Sequence, residues 1–409
     1  MINTFLLLAM RPILPAFAFV NRVQLQICKQ QCLHLYAIKT KRFNHGLAIL
    51  TMPQTSLDKI ANEAILETSL THTHKLSVVL RESDALSSTH SIYSLRKYVG
   101  EVYSTLWDCA MGQGELMDVV VYPQNLPNAA PEQWIHHLED LQVVCSHDSI
   151  CGWMSTRAGG SGVKFQGTGG SGGLDAHVAA INVDRQNRGL SPVEALHVDP
   201  WPQGASMEFC DANHVMFLDD DAMGSMTPNE DAFTATTSFL GGAHIPSSSL
   251  YQSVAVGGTF DSMHYGHRKL LTLAVSSVAP QTGKLLIGIT QDRMLQHKQF
   301  SELIPTLEER IKGVKDFVYR LAPGMKNRLR IESIGDSYGP PGTGDGGDFE
   351  ALVLSHETLE TGHKLNEYRV QSLGAKPLVL LCTRRTESYG MSSTALRKLK
   401  NLKHEAGVE

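Results

Sequence analysis

Residues 251–278 read YQSVAVGGTFDSMHYGHRKLLTLAVSSV, and their pattern decides the fold. The small and β-branched residues before Gly257-Gly258 form a buried strand that ends in a sharp turn. Beyond the turn, Leu270, Leu271, Ala274, Val275 and Val278 recur at spacings of three and four, one face of an amphipathic helix. Working outward, KLLIGIT (284–290), RLRIESI (328–334), ALVLS (351–355) and PLVLLC (377–382) are further short apolar runs. LEERIKGVKDFVYRL (307–321) and residues 361–372 are helical between them. Strands alternating with helices predict an α/β fold, a Rossmann-like parallel sheet with helices on both faces. Ligands of such sheets sit at the carboxyl ends of the strands.

The rest of the chain is less clearly patterned. At 409 residues the length predicts two domains. KLSVVL (75–80), a helical spacing over 91–107 and MDVVVY (117–122) suggest an amino-terminal α/β region over 52–240, of no recognisable role. GGSGVKFQGTGGSGG (159–173) reads as a Gly-rich linker, and the shift after the acidic stretch 219–231 marks a boundary near 240–250. No Asp or Glu precedes Asp58, whereas Arg11, Arg22, Lys29, Lys39, Lys41 and Arg42 do. Residues 1–51 therefore read either as an organellar transit peptide or as an extension upstream of a start at Met52. The expected location is the cytoplasm, with mitochondrial targeting as the alternative.

The net charge of -5 and the lack of a basic run argue against a nucleic-acid partner. Arg11, Pro12 and Pro15 interrupt the first apolar stretch, so no membrane span is expected. None of the seven cysteines forms a C-x-x-C pair, which points to free thiols, not to a zinc site or a disulfide framework. His136-His137, His72, His74 and the acidic run 219–221 read as solvated surface.

Two short motifs carry chemistry. In GGTFDSMHYGH (257–267), Gly257 and Gly258 let a phosphate approach the backbone, and His264, Gly266 and His267 open a helix whose free N–H groups favour an anion. In MSSTALR (391–397), Ser392, Ser393 and Thr394 form a second hydroxyl-rich helix start, with Arg397 one turn in. A helix cap would explain either motif alone. Two facing anion sites are what a triphosphate with a leaving pyrophosphate requires, so the two helix starts should converge across one cleft.

Together, GGTFD…HxGH and the late SST-x-x-R resemble the nucleotidyltransferase superfamily of the cytidylyltransferases and phosphopantetheine adenylyltransferase. GITQDRMLQHK, LIPTLEERI, DSYGPPG and VLSHETLETGHKLNEYR, in that order, are similar to the eukaryotic-type adenylyltransferase domain found in CoA synthase. The likeness covers about 150 residues, and it makes 250–409 the nucleotidyltransferase domain.

The resemblance implies ATP and 4′-phosphopantetheine as substrates and Mg²⁺ bridging the phosphates. His267, Thr259 and Lys298 are the implied catalytic residues, with Thr259, Lys298 and Arg310 on the phosphopantetheine. Gly257, Gly258, His264, Gly266, Ser355, Glu357, Thr358 and Asn366 would line the nucleotide, with Arg369 behind, and Ser392, Ser393, Thr394 and Arg397 would hold its β- and γ-phosphates. Met391 stands where the family has Ile or Val, and no G-x-x-x-x-G-K-[ST] loop of a dephospho-CoA kinase occurs. The competing readings are a cytidylyltransferase acting on another phosphorylated substrate and a non-catalytic nucleotide-binding scaffold.

Overall fold

A computed structural model describes residues 42–53, 56–81, 92–113, 116–147, 154–155, 164–165, 173–198, 233–236, 250–343, 348–383 and 393–405. The described residues from Phe43 onward belong to one compact unit.

The elements of the first part of the chain are β1 (Phe43–Thr51), α1 (Ser56–His72), β2 (Thr73–Arg81), α2 (Ile92–Gln113), β3 (Asp118–Pro123), α3 (Glu132–His136) and β4 (Val143–Ser146). A small hairpin of β5 (Met154–Ser155) and β6 (Lys164–Phe165) follows, then α4 (Gly173–Asn187), β7 (Glu194–His197) and β8 (Phe233–Thr236). The second part holds β9 (Ser253–Gly258), α5 (Tyr265–Ser277), β10 (Lys284–Thr290), α6 (Leu307–Leu321) and β11 (Leu329–Ile334). It ends with β12 (Ala351–Ser355), α7 (Leu359–Leu373), β13 (Val379–Thr383) and α8 (Ser393–Glu405).

These strands build two large sheets. The first has the order β3-β2-β1-β4-β7 and is parallel throughout. The second has the order β11-β10-β9-β12-β13-β8, parallel except for the antiparallel edge strand β8. The five parallel strands of each follow the same plan: the first strand is central, the next two lie on one side and the last two on the other. The Rossmann-like reading therefore holds for the second sheet, and the amino-terminal region repeats it.

The period of two along the second sheet separates its faces. Val254, Val256, Ala351 and Val353 join the large core with α5 and α6, whereas Ala255, Leu352 and Leu354 form a smaller core with Leu365 of α7. The large core runs without a break from Leu47 of β1 to Val353 of β12. The two sheets are joined where α2 packs on α5 and β3 lies against α5 and α6.

β1 lies inside the stretch 1–51 that reads as an extension. Its run Leu47–Leu50 is fully buried and pairs with β2, and Leu47 and Ala48 also pair with β4, so this part belongs to the core of the first sheet. The boundary near 240–250 and most of the Gly-rich 159–173 segment lie outside the described residues, as does the acidic run 219–221. No helix among the described residues is long and apolar enough to cross a membrane.

Candidate active site

The central strand β9 leads to β10 on one side and is flanked by β12 on the other, so a crevice opens at the carboxyl ends of β9 and β12. A cleft of about 1090 Å³, open solvent at its mouth included, lies there, lined by Gly257, Gly258, Thr259, His264, Gly266, His267 and Lys298 on one side. Ser355, Glu357, Thr358, Ser393, Thr394 and Arg397 line it on the other. A Cβ on Gly257 would meet no neighbouring protein atom closer than 3.8 Å, so packing does not demand the glycine. Its bare backbone serves the cleft side.

The two helix starts converge, and their contacts are direct. His264 caps α5: its Nδ1 accepts from the Gly266 N–H at 3.1 Å. That bond leaves the proton on Nε2, which donates to Ser393 Oγ at 3.0 Å, at the start of α8. Beneath this link, Arg397 pairs with Asp261 and donates to Gln299 O at 3.0 Å and Thr394 Oγ1 at 3.1 Å. The Asp261 and Arg397 side chains are only 1% and 4% exposed. Among the described residues, three of the five guanidinium N–H donors find a partner. Asp261 is the residue that sequence reasoning left without a role, although it sits in the quoted GGTFD; Lys269, His356 and Thr383 also line the cleft unforeseen.

His267 stacks on His264 with ring centroids 3.9 Å apart and lies 5.2 Å from the Phe260 ring. Burial, with Lys298 and Arg268 nearby, holds its imidazole down to about 3, and burial likewise holds His264 well below the ordinary histidine value. Both rings are neutral at pH 7. The Nδ1 of His267 is buried with no hydrogen-bond partner. Across from it, Lys298 Nζ donates to Thr259 Oγ1 at 2.7 Å, and partial desolvation in the cleft lowers that ammonium's pKa. Thr259, His267 and Lys298 thus face one small volume. Ser355 Oγ lies 3.2 Å from Thr358 Oγ1 at the end of β12, with Glu357 exposed between them.

Other residues singled out from the sequence sit elsewhere. Arg310 is fully buried and donates to Pro305 O, Thr259 O and Asp292 Oδ1 at 3.0, 2.8 and 2.5 Å. It braces the backbone of Thr259 from behind. The Asn366 amide is clipped to the Leu378 backbone, donating to its carbonyl at 2.8 Å and accepting from its N–H at 2.7 Å. Arg369 donates to Lys376 O at 3.0 Å and Pro341 O at 2.5 Å. Ser392 and Met391 lie outside the described residues, as do residues 344–347 of the Gly-rich loop before β12.

Among the described residues, two side-chain groups could hold a metal ion. Asp261, His264 and His267 offer two imidazoles and a carboxylate already paired with Arg397. Mg²⁺ demands oxygen ligands in octahedral array, so this set does not fit a protein-held Mg²⁺. Glu132, His136 and His177 converge at the carboxyl edge of the first sheet. There the cation is Arg81, which pairs with both oxygens of Glu132 and approaches His177 Nε2 at 3.1 Å. His136, expected as solvated surface, is buried and bonded to Glu132 at 3.0 Å, because α3 tucks under the end of β2.

Comparison with known proteins agrees with the geometry. Residues 255–399 match the cytidylyltransferase-like family model. A phosphopantetheine adenylyltransferase of Saccharomyces cerevisiae is 32% identical over 156 residues, 36% of this chain and 48% of the relative. The chain thus spans about half the length of that relative. The phosphopantetheine adenylyltransferases of Methanopyrus kandleri and Pyrococcus furiosus are 34% and 36% identical over 132 and 129 residues. Those stretches are 32% and 31% of this chain, and 77% and 74% of the two relatives. The chain belongs to the phosphopantetheine-adenylyltransferase-like group of the cytidylyltransferase-like nucleotidyltransferase family.

Proposed function

We propose that the chain transfers an adenylyl group from ATP to 4′-phosphopantetheine, giving dephospho-CoA and pyrophosphate. The single observation that carries the reading is the direct joining of the two anion-binding helix starts, His264 to Ser393 and Asp261 to Arg397, over one cleft. The choice of substrates rests on the relatives of that name.

In the reaction, a phosphate oxygen of phosphopantetheine attacks the α-phosphorus of ATP. A new P–O bond forms there, the α–β bridging P–O bond breaks, and pyrophosphate takes the electron pair. The attacking phosphate is already an anion, so no general base is needed. The barrier is the meeting of negative charges, and fixed donors lower it. Lys298 beside Thr259 holds the incoming phosphate, and neutral His267 donates to the α-phosphate as charge builds. The N–H groups at the start of α8, with Arg397, receive the leaving pyrophosphate. Magnesium would arrive as part of the MgATP substrate; among the described residues, neither candidate ligand group is a set of oxygen ligands that would hold it.

The test is an assay for dephospho-CoA and pyrophosphate from purified protein, phosphopantetheine and MgATP. Product formation is expected with ATP and not with CTP. Pyrophosphate release with CTP and a different phosphorylated acceptor would replace this reading with a cytidylyltransferase one. Nucleotide binding with no transfer to any phosphorylated acceptor would leave a scaffold.

A further inference from the structure

The loop that bears the two histidines is braced by residues from outside its own sheet. Met263, just before the His264 cap, has φ 43°. A left-handed backbone is unfavourable for a non-glycine residue, and such strain persists only where the surroundings over-determine it. The support can be followed atom by atom. Met263 O accepts from Arg268 Nε at 2.7 Å. Arg268 Nη1 in turn donates to Asp118 Oδ1 and to Val119 O, both at 2.6 Å, at the start of β3. The other oxygen of Asp118 accepts from Arg320 of α6 at 2.5 Å. Burial alone would raise the pKa of this carboxyl, but Arg320 and Arg268 outweigh it and hold the group far below the ordinary range. One carboxylate of the first sheet therefore clasps both helices that flank the catalytic loop.

Two more contacts reach the same loop from the same side. The Tyr265 hydroxyl donates to Met117 O at 3.1 Å. Trp107 of α2, 2% exposed, meets the His264 ring edge-on, with centroids 6.2 Å apart. The family match begins at residue 255, so Trp107, Met117 and Asp118 all lie outside it.

We propose that Asp118 and Trp107 are positioning residues of the transferase site: through Arg268 and the His264 ring they hold Met263–His267 in the geometry that presents the imidazoles to the cleft. The first sheet is then an integral part of the active site's framework. The inference rests on the proposed function only for its turnover readout.

Five variants of the whole protein test it. Asp118→Asn and Trp107→Ala are expected to lower kcat between ~10- and ~100-fold, the range for displacing a reacting group by a fraction of an ångström to one ångström. Trp107→Phe should restore most of the rate, since it returns a ring edge to His264. Val120→Ala, a core truncation in the same strand, should lower Tm and leave the kcat of the folded protein unchanged. Adding Met263→Gly to Asp118→Asn should recover part of the lost rate, because glycine adopts the positive φ without support.

If Asp118→Asn and Trp107→Ala behave like Val120→Ala, with Tm lowered but kcat and KM unaltered, the positioning role is overturned. If wild type makes no dephospho-CoA, the substrate reading fails separately, and MgATP affinity measured by calorimetry takes over as the readout. Asp118→Asn should then weaken binding by a similar factor, and unchanged affinity would overturn the inference.

Discussion

Replacing Asp261 by Asn probes the junction on which the cleft depends. The substitution keeps the shape and one acceptor oxygen but removes the charge opposite Arg397. Both side chains are almost wholly buried, 1% and 4% exposed, so water cannot screen the guanidinium left behind. Its remaining acceptors, Gln299 O and Thr394 Oγ1, are neutral. Breaking a buried pair from one side costs about 3–5 kcal/mol, and because Asn still accepts one bond the lower end is expected. Removing both charges behaves differently: an apolar replacement of a whole buried pair is often close to neutral. Asp261→Asn combined with Arg397→Met should therefore be more stable than Asp261→Asn alone. Urea unfolding of wild type, both single variants and the double variant gives the coupling directly. A loss below about 1 kcal/mol for Asp261→Asn, or strict additivity in the double variant, would refute the view that these groups form one buried, mutually dependent pair.

His267→Ala should lower turnover by ~10²–10³, the loss typical of one donor to developing charge, with Tm changed by only a few degrees; turnover near wild type would remove His267 from the chemistry. Because its folded-state pKa, about 3, lies below the ordinary 6.5, His267 contributes stability that is fully present above pH 6.5 and is lost as pH falls toward 3. His264 is lowered in the same direction, so urea midpoints should decline below pH 6.5 more steeply in wild type than in His267→Asn. Asn366→Ala should cost ~2 kcal/mol or more by stripping the Leu378 backbone of both partners. Its KM for ATP should stay at the wild-type value, and a selective rise in KM would return Asn366 to the nucleotide site.

How much of this was legible in the sequence depended on how local the signal was. The second sheet could be read because its strands are unbroken apolar runs, such as KLLIGIT, and because the helix of residues 265–277 follows its glycine turn at once. The cleft could be read because its residues lie at strand ends and helix starts, positions the chain marks with Gly, Ser, Thr and His. β1 was hidden because its buried run Leu47–Leu50 follows a long basic segment that reads as a leader. β7 was hidden because Glu194–His197 is a short edge strand with exposed polar ends and only two partly buried residues between them. Asp118 and Trp107 carried no local signal: a single Asp at a strand start looks solvated until Arg268 and Arg320 fold onto it. The Asn366 and Arg310 assignments followed their place in a motif, whereas their partners, Leu378 and Asp292, are set by tertiary packing.

The site divides into groups that build the cleft and groups that face its contents, and the division has consequences for any perturbation. His264, Asp261, Arg310 and much of Arg397 spend their hydrogen bonds on other protein groups, so their geometry is fixed when the chain folds. Lys298, Thr259 and His267 line the space where a phosphate would sit. Donors held rigid before the reaction need no reorganisation as charge develops, which is where electrostatic catalysis gains its advantage over water. Changes to the first group should therefore lower stability and rate together, since they loosen the frame. Changes to the second should lower the rate and leave stability nearly untouched, and replacing the desolvated Lys298 by an apolar side chain of similar length should raise it.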